Sequence, residues 1–230
     1  EQLLSSKEVL YFPASYREAY NSEATDNANV LLRSEVLKKL SSSKKKKIIV
    51  TYPQALFEKV ISQNTLKQKT LTIKKGDFLG LDFVNETLFE YSFDRVNFVT
   101  QPGEFSVRGG IIDVFSFAHQ HPYRIEFFDE EIESLRSFDV NTQLSISPLD
   151  QIDLLPNTSM VSFSEKRKSL IDSLPKQSTV VFNQLDLCLD RIEKLGIKAA
   201  KQFDSLETSI QYPPKVLFLS PQELLDRLEG

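Results

Sequence analysis

The residues in this sequence best placed to do chemistry are two arginines and a phenylalanine. They lie between Gln101 and Asp139, in QPGEFSVRGGIIDVFSFAHQHPYRIEFFDEEIESLRSFD. Side chains alternate along an extended chain. In YRIEFF, Tyr123, Ile125 and Phe127 therefore face one way, and Arg124, Glu126 and Phe128 face the other. Upstream, Phe105 and Val107 alternate with Glu104, Ser106 and Arg108 in the same manner. Two strands are expected, each with an apolar core face and an arginine on its outer face. Such arginines have two uses. They can pair across strands with Glu126 or Asp113, worth less than about 1 kcal/mol each if exposed. Or they can anchor a protein interface, where arginine and aromatic side chains concentrate the binding energy. Phe127 already serves the core, so Phe128 is either covered by another element or left for a partner. Acidic residues outnumber arginines across this stretch, which disfavours a phosphate-binding surface.

Other constellations give weaker chemistry. The seven glycines do not form the glycine-lysine-serine/threonine cradle that holds nucleotide phosphates. No acidic pair for magnesium closes a strand. The chain is therefore expected to be non-catalytic, with no cofactor. His119 and His121 flank Gln120, but a zinc site needs three or four protein ligands, so no metal is expected. The run Lys44–Lys47 follows three serines and reads as a solvated loop. The triplet Arg108-Gly109-Gly110 occurs once, between two apolar strands, where its glycines suit a turn.

The elements that must position these residues read as two kinds of structure. The chain has 230 residues, 40% hydrophobic and 26% charged, with a net charge of −4. That composition is of a globular protein and is not built to coat nucleic acid. The single cysteine, Cys188, excludes an internal disulfide and suits a reducing cytoplasm. No run is long enough to cross a membrane. Glu1 falls inside an expected helix (EQLLSS), which suggests a piece of a longer chain.

Val9–Phe12 and Ile48–Thr51 read as buried strands, with helices at Leu31–Leu40 and after Pro53 (QALFEKVI). This is an incomplete parallel α/β layer. The pattern then changes. Thr70–Ile73 is a strand, Asp77–Tyr91 an amphipathic helix, and Arg95–Leu155 almost entirely strand and turn. DEE at 129–131 joins two strands as a hairpin. Ile132, Leu135 and Phe138 cannot share one face of the second, so a bulge is expected. After Pro156 the first pattern returns. Lys166–Leu174 reads as a helix, Thr179–Phe182 as a strand, Leu185–Leu195 as a helix, Val216–Leu219 as a strand, and Pro221 opens a last helix. The expected division is 1–71, an inserted β-rich domain at 72–157, and a return at 158–230.

The string PGEFSVRGGIIDVF, followed by PYRIEFFDEEIESLRSFD and TQLS, resembles the UvrB homology module. UvrB and the bacterial transcription-repair coupling factors (Mfd) share that module. RSFDVNTQLS is more similar to the coupling-factor version, and VLYFPA, IIVTYPQAL and IDLLP fit the same plan. The resemblance implies a degenerate RecA/helicase-like parallel layer, α/β in class, with an inserted β-rich α+β domain. It also implies recruitment. In this family the inserted domain binds UvrA through the arginine of the VRG motif, the arginine of the YR motif and the second phenylalanine of the FF pair. Here these are Arg108, Arg124 and Phe128. Coupling factors displace stalled RNA polymerase with a separate ATP-driven DNA translocase, so RNA polymerase and double-stranded DNA contacts are expected elsewhere in the parent chain. Two alternatives stay open. One is a UvrB-like DNA-binding module centred on Lys44–Lys47. The other is a scaffold that packs only against the rest of its own chain.

Overall fold

A computed structural model describes residues 8–16, 19–20, 26–42, 46–157, 167–206 and 212–229. The helix expected in EQLLSS, and Lys44 and Lys45 of the basic run, lie outside these residues. The protein is mixed α/β, with several separate sheets. It divides into two compact units, Glu1–Thr65 with Thr158–Gly230, and Leu66–Asn157.

The first unit begins with strand β1 (Glu8–Tyr11), helix α1 (Asn27–Ser42) and strand β2 (Lys47–Val50). β1 and β2 pair in parallel, Val9 opposite Ile48 and Leu10 opposite Ile49. Pro53 opens α2 (Pro53–Phe57), where its missing N–H costs nothing. The helix expected to continue through Ile61 stops at Phe57. The β-branched pair Val60–Ile61 instead forms a short strand, β3. A buried ion pair ties these pieces together. Arg33 lies 3.3 Å from Glu58 and covers the Phe12 ring, while Ser15 donates to the Glu58 carboxylate from both N and Oγ. Burial holds the Glu58 carboxyl above its ordinary range, opposed by the charge of Arg33.

Helix α3 (Gln63–Gln68) leads into the second unit. There follow β4 (Leu71–Lys74), α4 (Leu81–Glu90), β5 (Asp94–Arg95), β6 (Glu104–Arg108), β7 (Ile111–Val114), β8 (Tyr123–Phe128), β9 (Glu131–Phe138), β10 (Ser145–Leu149) and β11 (Gln151–Leu154). The helix expected from Asp77 starts only at Leu81. Asp77 is committed to a turn, accepting from the Lys74 amide at 2.7 Å, and Phe78 bridges to Glu131. β4 and β11, the first and last strands, pair antiparallel, with Ile73 opposite Ile152. That closure brings the two ends of the unit side by side. The remaining strands form one sheet in the order β10-β9-β8-β7-β6-β5. Gly109, at φ +57, makes the tight β6–β7 turn, a conformation that side chains disfavour. The β8–β9 turn places Asp129 at φ 56, which aspartate tolerates better than most residues.

After Asn157 the chain returns to the first unit. Three expectations need correction. Lys166 lies outside the described residues, and the rest of the helix expected over Lys166–Leu174 is a two-residue strand, β12 (Arg167–Lys168), paired with β3, and then a single 3₁₀ turn at Ile171–Ser173. Asp172 accepts from the Ser169 amide at 3.0 Å, which favours the turn over a helix. Thr179–Phe182 is not a strand. It has no ladder partner among the described residues, and Val181 is exposed. Val216–Leu219 is not a strand either. Pro214 starts a short helix, α6 (Pro214–Leu217), and only Phe218 bridges, to Glu58. Helix α5 (Leu185–Asp204) buries Cys188, Ile192 and Ala199, and α7 (Pro221–Glu229) closes the unit.

Candidate partner-binding face

The six-stranded sheet has one sealed face. Phe105, Ile112, Val114, Ile125, Ile132 and Leu135 are fully buried or nearly so. The register sets them together, with Ile112 opposite Ile125 and Ile125 opposite Leu135. Phe89 of α4 meets Phe105 of this face edge-on at 5.1 Å. Burying one such aliphatic side chain contributes about 1.5–3 kcal/mol. Phe127 is only half-buried, so the core thins toward the end of β8.

The other face carries the chemistry. One row across it runs Ser106, Asp113, Arg124 and Arg136, and the next runs Arg108, Ile111, Glu126 and Ser134. Arg108 and Arg124 are thus on the same face, on strands separated by β7. Asp113 of β7 lies between them and is 1% exposed. Arg124 donates to it twice, from Nε to Oδ1 at 2.6 Å and from Nη2 to Oδ2 at 2.8 Å. Arg108 Nη2 also pairs with Asp113 Oδ2. The hydrogen bonds to Asp113 raise the pKa of Arg124 further, keeping it charged. A second pair, Arg136 with Glu126, links the two rows, and Ser134 Oγ donates to the same carboxylate.

The arginines are less open than the alternation alone implied. The side chain of Arg124 is 17% exposed and that of Arg108 is 40% exposed. Arg124 covers the buried Phe138 ring at 4.8 Å from its centroid, and Arg108 lies 5.4 Å from the centre of Phe98. Both guanidinium groups already meet a carboxylate inside the chain. Asp113 neutralises one of the two cations and fixes the direction of both. Nη1 of Arg124 makes no hydrogen bond among the described residues, so one edge of the fork can still take an outside acceptor.

Phe128 lies on this same face, four residues beyond Arg124 and so about 13 Å along the strand. It is 72% exposed. Nothing within its unit covers it. Two residues that sequence reasoning did not single out share its exposure, Phe78 at 77% and Phe98 at 63%. Phe78 was hidden inside the expected helix. Phe98 lies in an irregular segment where no period assigns a direction.

The bulge in β9 is present. Glu126 pairs with Ser134 but Phe127 pairs with Ile132, leaving Glu133 as the extra residue. Without that extra residue, Ile132 and Leu135 could not both reach the core. The imidazoles of His119 and His121 lie together, the His121 amide 3.2 Å from His119 Nδ1. Among the described residues no group of three or more His, Cys, Asp or Glu side chains is arranged to hold a metal. No helix among them is long and apolar enough to cross a membrane.

The same segment is where the sequence matches known proteins. Residues 71–160 match the family model of the UvrB interaction domain. These residues belong to that family. Beyond the domain, the chain is related to transcription-repair-coupling factors. It is 33% identical to that of Haemophilus influenzae over 153 residues, 66% of this chain and 13% of the relative. It is 30% identical to that of Bacillus subtilis over 175 residues, 75% of this chain and 14% of the relative. With that of Myxococcus xanthus it shares 28% identity over 207 residues, 90% of this chain and 16% of the relative. The chain thus spans less than a fifth of the curated relatives it matches. Arg108, Arg124 and Phe128 all fall inside the UvrB interaction domain.

Proposed function

We propose that the UvrB interaction domain of this chain binds UvrA, as the corresponding domain of UvrB does, and recruits excision repair to RNA polymerase stalled at a lesion. One observation supports this above the others. Arg108 and Arg124 share Asp113 on the sheet face whose end exposes Phe128. A carboxylate of UvrA meets the free edge of the arginine pair. Phe128 enters an apolar recess beside it, where burial of the ring contributes about 1.5–3 kcal/mol before ordering costs. Asp113 keeps both arginines in place before the partner arrives, so less freedom is lost on docking.

In the longer protein this chain is a non-catalytic recruiting module. ATP-dependent DNA translocation, and contacts with RNA polymerase and double-stranded DNA, belong to other parts of that protein, which acts in the cytoplasm. The parallel pair β1–β2 with α1 between its strands in sequence supports reading the first unit as a degenerate RecA/helicase-like layer.

The test is a titration of the chain with purified UvrA. The double variant Arg108→Ala/Phe128→Ala removes two exposed side chains and leaves the Arg124–Asp113 pair intact. It is expected to abolish binding while melting like the parent. Wild-type affinity in this variant would remove the proposal.

A further inference from the structure

We infer that the docking face continues past Phe128 into an aromatic–acid–aromatic edge, Phe78–Glu131–Phe128, which receives a basic side chain of the partner. This rests on the reading of the face as a UvrA-binding surface and adds to it the site's chemical preference. Glu131 pairs with Phe128 across the β8–β9 turn and with Phe78 through an isolated antiparallel bridge. Directly paired residues share a face. The three side chains therefore stand in line on the face that carries Arg108 and Arg124, with neighbouring strands about 5 Å apart. The carboxylate is flanked by a ring on each side.

The arrangement is held by its backbone. The Gly76 amide donates to the Ile132 carbonyl at 2.9 Å, and the Ile132 amide to the Asp77 carbonyl at 2.9 Å. The Lys74 amide donates to Asp77 Oδ2. The backbone leading into Phe78 is thus held against β9, yet its ring is 77% exposed. Glu131 is also exposed and makes no ion pair or side-chain hydrogen bond among the described residues.

Charge complementarity selects the occupant. A purely apolar group laid over both rings would bury the carboxylate without a partner, which is costly. An anionic partner, nucleic acid included, would be repelled. A lysine or arginine meets both demands. Its charge pairs with Glu131, and its stem or guanidinium plane lies against the rings. The face then has two halves of opposite demand: the arginine row seeks an acid on UvrA, and this edge seeks a base.

The experiment titrates UvrA with the chain and with Phe78→Ala, Glu131→Gln and Glu131→Lys, at low and at physiological salt. Both positions are exposed, so melting temperatures are expected to stay at the parent value. Phe78→Ala is expected to weaken binding about tenfold. Glu131→Lys is expected to weaken it more than Glu131→Gln, with the gap narrowing as salt rises. The Arg108→Ala/Phe128→Ala variant separates the two readings. If that variant loses binding while Phe78→Ala and Glu131→Lys bind like the parent, the edge is wrong and the docking face stands. If that variant also binds normally, both fall. Tighter binding by Glu131→Lys, or salt-sensitive binding of the chain to a DNA duplex at this edge, would overturn the assignment of a basic occupant.

Discussion

Arg124 grips both carboxylate oxygens of Asp113, at 2.6 and 2.8 Å, on the face of the sheet opposite the core. Asp113 is sealed from solvent while Arg124 is not quite. This is not a surface ion pair of negligible worth. An uncompensated charge left there is costly.

Asp113→Asn is therefore expected to act on stability and on binding together. Loss of the charge leaves two guanidinium groups facing a neutral amide. The destabilisation expected is about 1–3 kcal/mol, read from urea denaturation. UvrA affinity is expected to drop in parallel, because Arg108 and Arg124 lose their common anchor. Parent-like stability and affinity together would show that Asp113 orients nothing.

Arg124 itself calls for the conservative change. Arg124→Glu would set a second carboxylate against Asp113 and confuse unfolding with loss of binding. Arg124→Lys keeps the charge but loses the two-pronged grip. It is expected to cost about 1–2 kcal/mol of stability and to weaken UvrA binding without abolishing it. Calorimetric titration beside a melting curve separates the two effects. Undiminished affinity would mean that charge alone, without the fork, suffices.

The two faces of β8 predict opposite responses to truncation. Ile125 is fully buried, so Ile125→Ala is expected to cost about 2–5 kcal/mol. Phe128→Ala is expected to change stability by less than about 0.5 kcal/mol and to impair UvrA binding. Equal losses of melting temperature in the two variants would reverse the assignment of faces.

Acid should loosen the turn after β9. Asp139 accepts from the amides of Asn141 and Thr142, at 3.0 and 2.9 Å, and from the Thr142 hydroxyl at 3.0 Å. The Thr142 amide bond leads the causes that hold the Asp139 carboxyl below its ordinary value of 3.8. The folded pKa is below the unfolded one. Its contribution is thus fully present above the unfolded value and is lost as pH falls through the folded one. An NMR titration of Asp139 should give a midpoint below 3.8, and Thr142→Ala should move it upward. A midpoint at or above 3.8 in the parent would contradict the turn geometry.

The sequence by itself determined which way each side chain of β6 and β8 points. It placed Ile125 inward and Arg124 and Phe128 outward, and it demanded a bulge in β9. Alternation is a local property of an extended chain, so no tertiary knowledge is needed. It was less informative where short apolar segments read equally well as strand or helix. Lys166–Leu174, Thr179–Phe182 and Val216–Leu219 have no period long enough to decide, and what they became depended on neighbours. Val180–Phe182 found no ladder partner, and Pro214 started a turn of helix before Phe218 could bridge.

Only the tertiary structure decided how the outward residues relate to one another. Arg108 and Arg124 are sixteen positions apart in sequence. They share Asp113 because the registers of β6 with β7 and of β7 with β8 bring it between them. Register is set by which apolar residues must meet in the core, here Ile112 against Ile125, and a slip of one residue would turn every arginine inward. Phe78 joins the same face only because the chain before α4 lies along β9 at Glu131. Direction was written residue by residue, whereas adjacency came from the burial of the opposite face.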